Sequence, residues 1–292
     1  VAAGGRDEVL DGGELADPAR AGGSLGDDVH DTPRKSRGTA SVAAPTDLRA
    51  FAAVTGDHNP IHTSLAAARL AGLGDPIVHG MWVSAAAQQV VSDRRITGWT
   101  TRFMAPVRPG ATVDIRADRV GLDAGAEVVD ISCRVEGEVV MAATARLEAP
   151  RTAYAFPGQG IQHPGMGMAA YARSKAAREI WDRADAHTRE ALGFSILSVV
   201  RDNPTVLTAQ GVTHKHPEGV LFLTQFTQVA MAVLGAAQMA ELRESGAFVE
   251  GSILAGHSVG EYNALAAVSG VIALEAVVEV VFQRGSVMHT LV

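Results

Sequence analysis

Alternating apolar and polar positions predict four β-strands in the first half of the chain, preceded by one long apolar helix. The helix covers residues 79–92, and Gly- or Pro-containing turns separate the strands. The predicted strands are 99–104, 112–120, 127–135 and 139–148, and shorter helices are predicted over 45–54 and 66–70. One long helix followed by an antiparallel meander predicts an α+β unit whose sheet wraps the helix.

The second half has a different pattern, in which strands alternate with helices. Strands are predicted over 152–156 and 253–255, and helices over 166–187, 187–200, 224–245 and 261–268. This alternation predicts a parallel sheet and an α/β unit. Residues 213–219, with His214 and His216, are predicted to form a surface loop without a metal role. Because Glu275 and Glu279 interrupt the most apolar stretch, residues 264–282, we expect a buried helical region there rather than a membrane span.

Residues 1–37 are rich in Gly, Asp, Ala and Arg and have no helical or strand period, which predicts a linker, disordered segment or surface loop. Pro150 and Arg151 mark a change of pattern, so the predicted domains are 38–150 and 151–292. The first residue is Val1, and the last helix has no stop signal. We therefore expect a segment of a longer polypeptide.

Composition and charge restrict the functions and the cellular compartment that are possible for this chain. The formal net charge of -7 disfavours nonspecific binding to nucleic acid. Cys133 is the one cysteine, so an intrachain disulfide and a cysteine-based zinc site are excluded, and its strand-like surroundings predict an inert packed thiol. No secretory signal precedes the apolar segments, so we expect a cytoplasmic protein.

Residues 56–62 read Gly-Asp-His-Asn-Pro-Ile-His and combine an acid with a base. Asp57 and His62 lie five residues apart on a segment marked by Gly and Pro. The imidazole suits removal of a proton next to a carbonyl, and the carboxylate can assist the departing hydroxyl. Gly80, at the start of the long helix, can offer its N–H to the oxygen of a thioester.

Gly56 to His62 and His79-Gly80-Met81 resemble the motifs of the MaoC-like, hot-dog-fold (R)-specific hydratases and dehydratases. The resemblance covers roughly residues 45–148 and implies a hot-dog domain with Asp57 and His62 as the catalytic dyad. It also implies Asn59 as a supporting polar residue of the substrate-binding site and the Gly80 N–H as the oxyanion donor. A hot-dog unit of this family pairs with a second one, which is an expected partner.

Residues 256–260 read Gly-His-Ser-Val-Gly, between a predicted strand and a predicted helix. Small residues on both sides of Ser258 allow the strained turn that exposes a nucleophilic hydroxyl. The N-terminus of the following helix favours a developing oxyanion.

The extended motif around Ser258 resembles the malonyl/acyl-CoA:acyl-carrier-protein transacylase family, as do Phe156 to Gln162 and Thr224 to Gln228. The resemblance implies a partial α/β, hydrolase-like acyltransferase domain with Ser258 as nucleophile. It implies the Val259 N–H and Gln159 as the oxyanion hole and a structural role for His257. Arg284 is implied to bind the malonyl carboxylate, since a guanidinium forms two parallel hydrogen bonds with a carboxylate.

The general-base histidine of that family lies well downstream of the arginine, beyond Val292, and His289 is too near Arg284 to replace it. Because a serine without a base is a poor nucleophile, we expect the transferase half as given to be incomplete and inactive.

Together the two resemblances imply a segment of a type I fatty acid synthase of the bacterial and fungal kind. The implied substrates are (3R)-3-hydroxyacyl and malonyl thioesters on coenzyme A and on the phosphopantetheine of an acyl carrier protein, with no bound metal or redox cofactor. Implied partners are the carrier domain and other synthase domains in a homo-oligomer. A polyketide-type synthase segment and a non-catalytic scaffold remain alternatives.

Overall fold

The computed structural model describes residues 22–23, 25, 29–269 and 271–290, without the side chains of 267–269 and 289–290. Most of the predicted linker and the His289 side chain therefore lie outside the described residues. The chain forms two compact units, residues 1–150 and 151–292.

The first unit is a five-stranded antiparallel sheet with helices connecting its strands, in agreement with the predicted hot-dog plan. The elements are β1 (His30–Ala43), α1 (Arg49–Thr55), a 3-10 turn (Pro60–His62), α2 (Leu65–Leu70), α3 (Gly80–Gln89), β2 (Ile96–Phe103), β3 (Thr112–Asp123), β4 (Ala126–Val135) and β5 (Glu138–Leu147). The strand order in the sheet is β1-β3-β4-β5-β2.

Helix α3 is the predicted apolar helix, and it packs on β4 and β5. Val83 and Ala87 are buried on its inner face, and the polar Ser84 on that face accepts a hydrogen bond from Trp99 Nε1 at 3.0 Å. Each fully buried aliphatic side chain stabilises such a core by about 1.5–3 kcal/mol. The residues from the strands that complete this core include Ile115, Ala117, Val129, Ile131, Cys133, Met141 and Ala143.

Strand β1 was not expected, and the linker predicted over residues 1–37 is wrong from His30 onward. The strand pairs antiparallel with β3, with register shifts between Asp31 and Lys35 and between Ser36 and Gly38. Such bulges break the two-residue alternation from which a strand is recognised in a sequence.

The second unit has the predicted parallel pairing, between β6 (Ala153–Phe156) and β9 (Ile253–Gly256). Long helix α7 (Thr224–Glu244) is buried over most of its length and packs on the two last helices, α8 (Val259–Ser269) and α9 (Leu274–Thr290). The remaining elements are α4 (Met168–Arg173), α5 (Lys175–His187), a π-helical turn (Thr188–Leu192), α6 (Ile196–Arg201), β7 (Val206–Ala209), β8 (Val212–Lys215) and a 3-10 turn (Val220–Phe222).

Three predictions for this unit are wrong in detail. The helix predicted over 166–187 is two helices, because Ser174 caps a new one by accepting a hydrogen bond from the Ala177 N–H. The helix predicted over 187–200 is divided at Gly193, which adopts a left-handed conformation with φ 73°. The loop predicted over 213–219 is partly the hairpin strand β8, and His214 of that strand bonds Gln225 Nε2 at 3.1 Å.

Cys133 is fully buried in the core, and burial raises the pKa of its thiol to about 12. The expectation of a packed thiol is confirmed, and its lack of reactivity stays a prediction. Among the described residues, no helix combines the length and the apolar character that crossing a membrane requires.

Candidate active sites

The first motif forms a short irregular segment between α1 and α2. Helix α1 ends at Gly56, whose left-handed φ of 75° turns the chain away from the helix axis. Asn59 then caps the 3-10 turn, as its side-chain oxygen accepts from the Ile61 N–H at 3.2 Å. The Asn59 N–H donates to Asp57 Oδ1 at 3.2 Å. The side-chain oxygen and the backbone N–H of Asn59 therefore both shape the segment that carries the acid.

Asp57 and His62 face each other, as predicted for a catalytic pair. Asp57 Oδ2 lies 3.7 Å from His62 Nε2, and the two side chains are 49% and 8% exposed. His62 Nδ1 lies 2.8 Å from the Ile77 carbonyl oxygen. Because a carbonyl only accepts, we assign the proton of neutral His62 to Nδ1, which leaves the Nε2 lone pair free to act as a base.

The dyad opens into a cavity of about 430 Å³ whose wall is mostly apolar. Gly80 lies in this wall at the first position of α3, where its N–H has no preceding helical carbonyl to bond. A Cβ atom built on Gly80 would lie 2.8 Å from Phe103 Cε1. The other lining residues are Ile77, Val78, Met81, Val83, Met104, Ala105, Pro106, Val107, Val140 and Met141.

Asn59 is not among the residues that line this cavity. The structure therefore gives no substrate contact for the position that the sequence assigned to substrate binding. The Asn59 side chain instead accepts from the Ile61 N–H and so caps the 3-10 turn, while its backbone N–H holds the Asp57 carboxylate.

His79 contacts both members of the Asp57–His62 pair, which the sequence analysis did not predict. Its ring stacks on His62 with centroids 3.7 Å apart and an interplanar angle of 22°. It is 1% exposed, and its Nε2 lies 3.1 Å from the Asp57 carbonyl oxygen. The His-Gly-Met sequence contained the signal, but a histidine before an apolar helix gives no indication of its partners.

Asp57, His62 and His79 also present potential ligand atoms within 4.8 Å of one another. The stacked arrangement of the two rings disfavours one shared metal ion. A metal accepts an imidazole lone pair in the plane of the ring, and nearly parallel stacked rings direct their lone pairs side by side. The arrangement favours acid–base chemistry over metal binding.

In the second unit, Ser258 occupies the sharp turn between β9 and α8. Its φ of 58° is left-handed, which is strained for a residue other than Gly. The two flanking glycines allow a close approach of backbone. A Cβ on Gly256 would lie 2.2 Å from the Gly260 carbonyl carbon, and one on Gly260 would lie 2.1 Å from the Phe156 oxygen. This geometry is that of a nucleophile elbow.

The Ser258 hydroxyl is bonded to Arg284, which approaches it from α9. Arg284 Nη2 donates to Ser258 Oγ at 2.9 Å, and Nη1 donates to Gln228 Oε1 at 2.7 Å. Gln228 is fully buried on α7, and its Nε2 lies 3.4 Å from Gln159 Oε1. The structure thus brings the three predicted side chains Gln159, Ser258 and Arg284 together and adds Gln228, which the sequence analysis had not assigned.

Val259 is fully buried and begins α8 directly after the serine. Its N–H therefore lies in the first helical turn, where N–H groups have no intrahelical acceptor. Within the described side chains, none of the hydrogen bonds of the Ser258 hydroxyl involves a histidine. The neighbouring His257 is exposed, and its N–H donates to the Phe156 carbonyl at 3.2 Å.

Comparison with known families assigns one domain to each unit. A model described as a MaoC like domain matches residues 27–141, and a model described as an acyl transferase domain matches residues 153–292. The first match includes β1, in agreement with the place of that strand in the sheet.

Similar proteins include two fungal fatty acid synthase subunits. The fatty acid synthase beta subunit stcK of Emericella nidulans is 35% identical over 290 residues, which cover 85% of this chain and 15% of that protein. The fatty acid synthase subunit beta of Saccharomyces cerevisiae is 33% identical over 296 residues, covering 85% and 14%. The chain thus spans about 15% of the length of these relatives.

One solved structure, malonyl CoA-acyl carrier protein transacylase from Clostridium perfringens, is 31% identical. The match covers 49% of this chain and 39% of the transacylase chain, with a TM-score of 0.40.

Proposed function

We propose that this chain, which joins a MaoC-like domain to an acyl transferase domain, is a segment of a multifunctional fatty acid synthase. The first unit dehydrates (3R)-3-hydroxyacyl thioesters to trans-2-enoyl thioesters. The second transfers malonyl or acyl groups between coenzyme A and an acyl carrier protein. The observation that carries the proposal is the Asp57–His62 pair at an apolar cavity beside the start of α3.

In the dehydration, His62 Nε2 removes the proton from C2 of the thioester. The electron pair of that C–H bond forms the C2–C3 double bond, and the 3-hydroxyl leaves as water after taking from His62 the proton that was removed from C2. Asp57 orients and polarises this hydroxyl. Because Asp57 Oδ2 and His62 Nε2 are 3.7 Å apart, one hydroxyl group in the cavity can contact both atoms. The Gly80 N–H stabilises the negative charge that develops on the thioester oxygen.

In the transfer, Ser258 Oγ attacks the malonyl thioester, and the thiol of coenzyme A leaves. The Val259 N–H and Gln159 stabilise the tetrahedral oxyanion, and Arg284 binds the malonyl carboxylate. A thiol of the carrier protein then takes the acyl group from the serine. Removal of the serine proton requires a base, for which we propose a histidine from outside the described residues, since free serine is a weak nucleophile.

The two proposed reactions also indicate the cofactors, partners and compartment of the synthase. Neither reaction requires a redox or metal cofactor, because both move protons and acyl groups only. The partners are an acyl carrier protein, other synthase domains including a second hot-dog unit, and a second copy of the chain. The compartment is the cytoplasm, where coenzyme A thioesters are available.

Hydration of crotonyl-CoA, the reverse of dehydration, tests the first activity. The chain of residues 1–292 should add water to the enoyl double bond, and the loss of enoyl absorbance reports it. A well-folded chain with no hydratase activity would contradict the dehydratase and favour the scaffold alternative.

A further inference from the structure

His79 connects the parts of the dehydratase site without lining its cavity. The side chain is 1% exposed and is absent from the cavity wall that contains Asp57 and His62. It therefore has no direct path to the substrate. Its importance lies in the three groups that it contacts or precedes.

The first contact is with the segment that carries the acid. His79 Nε2 lies 3.1 Å from the carbonyl oxygen of Asp57. Because the carbonyl only accepts, the Nε2 of neutral His79 carries the proton and donates. The residues from Gly56 to Pro60 are otherwise exposed, so this buried donor fixes the backbone from which the Asp57 side chain extends.

The second contact is with the base. The His79 ring covers one face of the His62 ring at 3.7 Å, and Phe51 packs against His79 with centroids 5.1 Å apart. The in-plane hydrogen bond to Ile77 alone would leave the His62 ring free to tilt about that bond. The stacked neighbour opposes this tilt and so directs Nε2 into the cavity.

The third relation is along the chain. His79 is the N-cap residue of α3, with φ -56° and ψ 127°, and it immediately precedes Gly80. A movement of its backbone would therefore change where the Gly80 N–H points. One residue is thus coupled to the acid, the base and the oxyanion donor.

We propose that His79 is a positioning residue of the dehydration, which sets the relative placement of Asp57, His62 and the Gly80 N–H. This inference rests on the proposed dehydratase function. Misplacement of reacting groups by about 1 Å can lower a rate by roughly 10²-fold. Loss of His79 should therefore lower kcat while KM changes little, since the side chain does not contact substrate.

Three variants separate the effects of the two contacts that the His79 side chain makes. His79→Gln keeps a donor near the position of Nε2 and removes the ring, whereas His79→Phe keeps a flat ring and removes the donor. His79→Ala removes both. We expect kcat for crotonyl-CoA hydration to fall by roughly 10²-fold in His79→Ala and by less in the other two. His58→Gln, which removes an exposed histidine from the same segment, is the matched control and should keep the wild-type kcat.

A nuclear magnetic resonance measurement tests the arrangement without activity. The ring current of His79 should shift the His62 ring proton signal, and this shift should disappear in His79→Gln and His79→Ala but persist in part in His79→Phe. If the wild type does not hydrate crotonyl-CoA, the proposed function fails while this signal still reports on the stack.

The proposal is overturned if the folded variants keep kcat within about twofold of wild type, if only KM rises, or if the His62 signal does not move. Circular dichroism and thermal unfolding establish that each variant is folded. If His79→Ala does not fold, His79→Gln and His79→Phe decide the question by the same criteria.

Discussion

The two candidate sites differ in how far along the chain their residues come from. Asp57, His62, His79 and Gly80 lie within 24 residues, and loop contacts and the start of one helix assemble them. The second site brings Gln159, Gln228, Ser258 and Arg284 together from a β6 loop, two helices and an elbow. The first site is therefore a local structure, whereas the second depends on the packing of the whole unit.

The sites also differ in the partner of the reacting group. His62 Nε2 lies 3.7 Å from a carboxylate oxygen at a cavity, where the proposed reaction requires it to accept a proton. The Ser258 hydroxyl accepts a hydrogen bond from a guanidinium, which cannot take its proton. The first unit thus places a carboxylate and an imidazole nitrogen at one cavity, whereas in the second the described contacts of the Ser258 hydroxyl include a guanidinium and no histidine.

The largest expected effect is loss of the dehydratase dyad. Asp57→Asn and His62→Ala should each lower kcat/KM for crotonyl-CoA hydration by roughly 10²- to 10⁴-fold, because acid–base catalysis contributes a factor of this size. Asp75→Asn is the matched control, since it changes an exposed carboxylate nearby. If either variant is folded and keeps activity within threefold of wild type, the substituted side chain has a structural role and not a catalytic one.

The next largest effect on hydration is expected from a substitution at Gly80, at the start of α3. Gly80→Ala should lower hydration by roughly 10²-fold, because its Cβ would lie 2.8 Å from Phe103 Cε1, so that either the helix start or the Phe103 ring in the cavity wall must shift. Gly74→Ala is the control, as its Cβ would meet no atom within 4 Å. Equal activities of the two variants would show that the added Cβ leaves the start of α3 and the cavity undisturbed.

In the second site, Arg284→Gln should weaken malonyl loading relative to acetyl loading. A charged hydrogen-bonded pair is worth about 1.5–3 kcal/mol, which corresponds to roughly a 10- to 150-fold loss of malonyl preference. Arg284→Lys should lose part of it, since an ammonium lacks the two-pronged geometry. The measurement is the ratio of malonyl to acetyl labelling of the synthase at Ser258, and an unchanged ratio would refute the carboxylate role.

A smaller effect concerns the stability of the second unit below neutral pH. Burial raises the pKa of the Asp185 carboxyl, but hydrogen bonds from Ser195, Arg189 and the Leu197 N–H outweigh it and hold the pKa below its usual value. A depressed folded pKa stabilises the fold above the unfolded pKa, near 4, and this contribution is lost as the pH falls through the folded value.

Asp185→Asn should therefore destabilise the protein by about 1 kcal/mol at pH 7. The difference in thermal midpoint from wild type should shrink as the pH falls from 5 towards 3. A difference that does not change with pH would mean that the ionised carboxylate is not responsible.

The smallest effect is expected at Cys133 of the first unit. Full burial and a thiol pKa raised to about 12 should leave it unreactive towards iodoacetamide in the folded chain at pH 8. Unfolding in guanidinium chloride should restore labelling. Rapid labelling of the native protein would show that the core of the first unit opens.

The features that could be predicted from the sequence are those that depend on residues close together along the chain. Those that could not be predicted depend on contacts between distant residues. The Asp57–His62 pair, the apolar helix α3 and the meander were predictable, because each depends on residues close in sequence. Strand β1 was not, since two bulges obscure its alternation. Gln228 and the His79 stack could not be inferred, because their partners are chosen by tertiary packing that no short pattern encodes.

The central claim is that Asp57 belongs to a dehydratase site in which Ser258 takes no part. Crotonyl-CoA hydration by residues 1–292, compared among wild type, Asp57→Asn and Ser258→Ala, tests it most directly. We expect the wild type and Ser258→Ala to hydrate crotonyl-CoA at the same rate and Asp57→Asn to be inactive. Loss of hydration in folded Ser258→Ala, or an inert wild type, would contradict this claim.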